Sequence, residues 1–174
     1  KRVYLDLLGL PPTGEQIKKF IADKRPDAYD RLVDEVLESK HYGERWGRHW
    51  LDVAGYADSE GYSNADPVRT YAYKYRDYVI QSFNDDKPYS QFMREQVAGD
   101  ELSVVTPDSM IATGYYRLGI WQDEPVDRVQ ELYEDLDDIV STTGQVFLGL
   151  TLSCCRCHDH KLDPIPQRDY YRFM

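Results

Sequence analysis

"LDDIVSTTGQVFLGLTLSCCRCH", residues 136–158, decides how this chain is read, because an apolar stripe runs through it into a cluster of cysteines. Leu136, Ile139, Val140, Thr143, Val146, Phe147 and Leu150 recur at helical spacing, so they share one face of an α-helix. Carried five turns on from Leu136, the same count reaches Cys154, and Cys157 and His158 fall on that stripe too. A helix persisting through Gly149 is expected to deliver Cys154, Cys157 and His158 to the core-facing side, with Cys155 and His160 pointing elsewhere. Gly144 and Gly149 weaken such a helix.

Upstream, the chain reads as a succession of helices set apart by Pro, Gly and Asp/Asn punctuation. Thr13 and Gln16 form a capping-box start for a helix through Ala22. Asp27 is placed to cap a second, whose Leu32, Val33, Val36 and Leu37 make an apolar stripe. Further helices are expected over 41–57, 70–83, 89–98 and 107–118, and a long acidic one from about Val126. No segment shows the alternation of a half-buried strand, so the expected fold is all-α: an irregular multi-helix domain with long loops.

The 174 residues suffice for one domain with its own core. The formal net charge of −10 argues against nucleic acid as a partner, since phosphate contacts need basic patches. A basic protein, a cation or a neutral ligand fits that charge better. The run "VFLGLTL" at 146–152 falls far short of the ~20 apolar residues that span a bilayer. The chain starts at Lys1, without the pattern of a signal peptide, and is expected to be a processed form or an internal piece of a longer polypeptide.

All three cysteines stand in "CCRCH", 154–158, a Cys-x-x-Cys-His pentapeptide of the kind that attaches c-type haem. Two thiols one turn apart can add to the two vinyl groups on one side of a porphyrin, and the adjacent histidine then reaches the iron. Cys154, Cys157 and His158 are the candidate haem residues, with His158 as the proximal iron ligand. Three thiols and a histidine also suit zinc, although structural zinc sites usually draw on two separated pairs and this chain has no second pair. A Cys154–Cys157 disulfide and an inert reduced cluster are the other readings. His160, two positions from His158, points away from it in a helix and is not expected to be the second axial ligand.

In "ERWGRHWLDVAGYADSEGY", 44–62, Trp46, Trp50, Val53 and Ala57 fall on one helical face, with His49 at its edge beside Asp52 and Tyr56. One reading makes this a packed helix with a structural histidine. The other makes His49 a haem-binding residue and distal iron ligand, in competition with His41, Met93 and Met110. Asp58, Glu60, Asn64 and Asp66 gather enough oxygens for calcium, but their spacing fits no EF-hand and favours a solvated turn.

Four stretches, "RVYLDLLGLPPT", "HYGERWGRHWLDVAGYADSEGY", "YRDYVIQSFNDDKPYSQFMREQVAGD" and "TTGQVFLGLTLSCCRCHDHKLDPIPQRDYY", cover almost the whole chain and resemble the planctomycete-type cytochrome C domain family. The resemblance implies a single helical cytochrome-c-like domain over 1–174, haem-carrying and extracytoplasmic, periplasmic or secreted. It implies a module of a larger protein whose other members are fused to cytochrome-like, sugar-binding or uncharacterised domains. It carries over Cys154, Cys157 and His158, and also His49, Asp52, Tyr56, Asp58 and Tyr62 without roles. Cys155 departs from the family pattern, which has a small residue there. No reaction is implied. The readings are an electron-transfer domain meeting a redox partner protein or other domains of its own polypeptide, a haem-dependent redox enzyme with an open distal site, and a non-redox module with a structural zinc or disulfide.

Overall fold

The computed structural model describes residues 1–61, 66–122 and 124–174. Among them no strand forms, and the only pairing of extended backbone is an isolated bridge between Ser59 and Val68. The all-α expectation holds.

Helices α1 (Arg2–Leu8), α2 (Gly14–Ala22) and α3 (Ala28–Leu37) open the chain. Thr13 and Gln16 cap α2 reciprocally, so two amide N–H groups that a helix start leaves orphaned are satisfied. Asp27 stands at the N-cap of α3, but its carboxylate takes Arg31 Nε at 2.7 Å instead of a backbone N–H. Tyr4 of α1 and Val36 of α3 are buried where α1 lies against α3 and α4.

Helices α4 (Lys40–Val53) and α5 (Ala72–Asn84) form the most extensive helix pair. Their backbones meet at Gly43, where a Cβ would stand 2.3 Å from the Ile80 carbonyl. Asn84 locks the pair, accepting the Gly43 N–H at 2.8 Å and donating to the Lys40 carbonyl at 3.2 Å. The buried side of α4 is therefore Gly43, Gly47 and Leu51, continued by Ala54. Of the expected face Trp46, Trp50, Val53 and Ala57, only Trp50 packs against the core, and Trp46 is exposed. Val53 is 58% exposed, and Ala57 lies beyond the helix end. Close helix approach selects the smallest residues for the contact, which a hydrophobicity count overlooks.

Helices α6 (Tyr89–Ala98) and α7 (Pro107–Ala112) complete this half; the 107–118 segment tightens to a 3₁₀ turn over Thr113–Arg117. The core they enclose is aromatic. Trp50 meets Phe92 edge-on at 4.8 Å, Tyr78 stacks on Phe92 at 5.8 Å, and Trp50 touches Phe147 at 5.4 Å. The polar ends of these rings are satisfied inside. Trp50 Nε1–H donates to Gln96 Oε1 (3.1 Å) and Tyr75 OH (3.0 Å), and Tyr75 OH donates to the same Gln96 oxygen.

Helix α8 (Arg128–Thr143) begins where Asp127 accepts the Val129 and Gln130 N–H groups, and α9 (Gln167–Phe173) ends the chain. The helix of α8 does not run to the cysteines. It loosens into one π turn over Gly144–Leu148, and Gly149 then adopts φ +66°, a left-handed conformation that glycine enters without penalty. The reversal brings Leu152 back over Gly144, where a Cβ would lie 2.5 Å from Leu152 Cδ1.

Candidate functional site

That reversal resets the helical phase and with it the three thiols. Cys154 and Cys157 are exposed and Cys155 is fully buried, the opposite of the expected arrangement. Ser153–Arg156 is a 3₁₀ turn, closed by the Cys157 N–H on the Cys154 carbonyl at 3.3 Å. Cys155 joins Val140, Leu152 and Tyr170 in a second, smaller core, with Leu150, Ile165 and Met174 around it. Its thiol points at the Ile165 carbonyl, 3.7 Å away. Burial pushes the Cys155 thiol above its ordinary range, and the adjacent Cys154 adds to the effect. A buried thiol of raised pKa is inert; the nucleophilic capacity of the cluster rests with its neighbours.

The turn is held by side chains that grip its backbone. Gln167 Nε2 (2.9 Å) and Tyr171 OH (2.8 Å) both donate to the Arg156 carbonyl, and Asp159 accepts the Gln167 N–H at 2.8 Å. Arg156 pairs with Asp137 of α8 at 3.0 Å, and Tyr170 OH donates to the other oxygen of that carboxylate. Burial, with Asp137 beside it, raises the Tyr170 phenol well above its ordinary range.

His158 is exposed, and its Nδ1–H donates to the Asp159 carbonyl at 2.7 Å. In the neutral ring that bond places the proton on Nδ1 and leaves the Nε2 lone pair open, the form in which an imidazole ligates a metal. His160 turns inward. Its side chain is 9% exposed, and its Nδ1 accepts the Asp163 N–H at 2.8 Å, so it braces its own loop. All three thiols are unbridged, and among the described residues no three His, Cys, Asp or Glu side chains converge to hold a metal ion.

The donor set fits a c-type haem: two outward thiols on one turn, followed by a histidine with Nε2 unengaged. Neither of two cavities elsewhere in the domain is lined by residues 143–174. This chain therefore presents Cys154, Cys157 and His158 on its surface.

The distal candidates are scattered. His49 is exposed on α4, its ring 5.5 Å from that of Trp46. His41 Nδ1 is engaged by Glu44 at 2.7 Å, Met93 is half-buried on α6, and Met110 is 49% exposed. In the acidic loop, Asp58 accepts Tyr56 OH at 2.6 Å and Asp66 accepts the Gly61 N–H at 2.8 Å. Those carboxylates tie the loop to itself. Asn64 and Tyr62 lie outside the described residues.

Paired outward thiols and a histidine on one turn of an all-helical domain are the pattern expected of a cytochrome-c-like module. The chain belongs to the PSCyt2 family, described as a protein of unknown function (DUF1549), whose model matches residues 1–174. No curated protein and no solved structure shows a significant match. Among the described residues no helix is long and apolar enough to cross a membrane.

Two features went unread in the sequence. The core role of Cys155 carries no periodic signal, because it depends on the left-handed turn at Gly149. The larger cavity, beside α8, had a visible cue: Leu132, Leu136 and Ile139 recur at helical spacing among Glu131, Glu134, Asp135 and Asp138.

Proposed function

We propose that this domain carries haem c covalently on Cys154 and Cys157, with His158 as an axial iron ligand, and serves electron transfer outside the cytoplasm. The observation that supports this reading above all is the His158 Nδ1–H bond to the Asp159 carbonyl, next to two outward thiols on one turn. A bound haem supplies reversible one-electron chemistry at its iron. The chain's own part is to hold the attachment turn rigid through Gln167, Tyr171 and Asp159, and to keep Cys155 out of competition by burying it. The second axial position falls to His49, His41, Met93 or Met110, or stays open. If that position stays open, a group held on the outward side of this turn is covered by this domain on one face, and a redox partner protein or another domain of the same polypeptide completes its enclosure.

The test is expression with export and c-type haem maturation, followed by intact mass and haem staining of a denaturing gel. One haem mass is expected in wild type and in Cys155→Ser. Cys154→Ser and Cys157→Ser lose a thioether or fail to mature, and His158→Ala loses most holoprotein. A low-spin spectrum supports electron transfer, whereas a high-spin spectrum replaces it with a redox enzyme whose distal site is open. No haem mass, with stoichiometric zinc or a Cys154–Cys157 disulfide, overturns the proposal in favour of a structural cluster.

A further inference from the structure

A cavity of about 990 Å³ lies between α8 and the 107–122 segment, away from the cysteine turn. Its apolar lining includes Tyr115, Trp121, Leu132, Leu136 and Ile139. Several of its side chains face solvent although they are large and apolar: Tyr71 is 70% exposed, Ile120 67% and Leu132 55%. Exposed apolar surface gathered around a concavity marks an interaction site rather than scattered surface hydrophobes.

The charge on its walls is polarised. From α8 come Glu131, Glu134, Asp135 and Asp138, which at 1.5 Å per residue span roughly 10 Å of the helix. None of the four takes part in an ion pair among the described residues. The lining cations Arg69, Lys74 and Arg117 come from outside α8, as does Glu60, and each cation is already engaged. Arg69 donates to the Arg117 and Leu118 carbonyls at 3.1 and 3.0 Å. Arg117 covers the Trp121 ring at 4.1 Å, and Lys74 stands 5.1 Å from the Tyr71 ring. Burial and the crowding of neighbouring carboxylates both raise Asp138 and Glu131 above the ordinary acid range, so a cation arriving at α8 relieves a repulsion already present.

We propose that this cavity is the docking site for a basic, amphipathic segment of a partner polypeptide, its Lys or Arg side chains on the α8 carboxylates and its apolar side chains on the Tyr115–Trp121–Leu136 floor. Charge complementarity identifies the occupant: an acidic wall and an apolar floor match a chain that alternates cationic and apolar faces. Small polycations satisfy the wall and leave the floor bare. The site is separate from the cysteine turn, so docking does not require haem.

Calorimetric titration with a 14-residue Leu/Lys amphipathic peptide, on protein of measured haem content, tests this. Binding is expected, weakening as salt rises from low to physiological strength. Asp135→Asn/Asp138→Asn and, separately, Trp121→Ala are each expected to weaken it about tenfold, with far-UV circular dichroism unchanged. Asp30→Asn/Asp34→Asn on α3, the same change in net charge, is expected to leave affinity within about twofold. Equal affinity for spermine or an oligolysine of matched charge overturns the proposal, since the floor then plays no part. So does equal affinity for a Leu/Glu peptide of the same pattern, an equal loss in the α3 variant, or no binding at low salt.

Discussion

The two cores of this domain are built differently. The larger, on α4 to α7, consists of rings and small helix-contact residues, and its buried polar tips are satisfied internally by Gln96 and Glu95. The smaller consists of Val140, Leu152, Cys155 and Tyr170, and is held as much by hydrogen bonds to the backbone of a turn as by packing. The first is closed by its own packing and internal hydrogen bonds. The second is a platform whose rigidity serves what it presents outward, and few buried side chains defend it. Stability therefore resides in one part of the molecule and the candidate chemistry in another, as expected where a site is supported by a scaffold.

The sharpest way to break this contrast is to remove a ring from the larger core. Phe92→Ala deletes the partner of Trp50, Tyr78 and Phe83 and should cost about 3–5 kcal/mol, read as a lowered urea midpoint. If the loss were below ~1 kcal/mol, the aromatic cluster would not be the stabilising element.

Next comes the cysteine asymmetry. Cys155→Ser places a hydroxyl in an apolar site and should cost roughly 1–3 kcal/mol. Cys154→Ser and Cys157→Ser in the haem-free chain should stay within about 0.5 kcal/mol. Iodoacetamide on the native haem-free protein should label 154 and 157 and spare 155. Labelling of Cys155 at a comparable rate would mean that the small core opens readily.

An acid titration probes the polar edge of the larger core. Burial alone would raise Glu95, but Lys87, Gln91 and Tyr78 outweigh it and hold the carboxyl below its ordinary range. A carboxylate lowered by folding contributes stability that is complete above the ordinary Glu range and lost as pH falls through it toward the folded value. Stability should fall with acidification in that window, and Glu95→Gln should flatten the dependence. An unchanged slope would place the acid sensitivity elsewhere.

The smallest effect is expected at the surface. Lys19 and Glu35 meet at 2.7 Å with both side chains largely in water, and Lys19→Ala should shift stability by less than ~0.5 kcal/mol. A larger loss would mean that α2 depends on this pair to stay docked.

Much of the scaffold was legible from residue order. The Thr13–Gln16 capping box, the helix over 89–98 and the absence of strands among the described residues all follow from local rules, because a helix satisfies its hydrogen bonds within a few residues. The Cys-x-x-Cys-His motif is local for the same reason: its donors are neighbours in sequence wherever the turn points. Direction was not legible. Which side of α4 is buried was decided by the close approach of α5 to Gly43, a contact between residues about forty apart. Which thiol is buried was decided by a left-handed residue at Gly149 and by Leu152 folding onto Gly144. Extending the α8 period to residue 158 assumed a continuous helix, and two glycines ended it. The sequence by itself determined the elements and the chemical groups they carry; only the tertiary structure decided their orientation, since side-chain direction is a phase that one irregular turn resets.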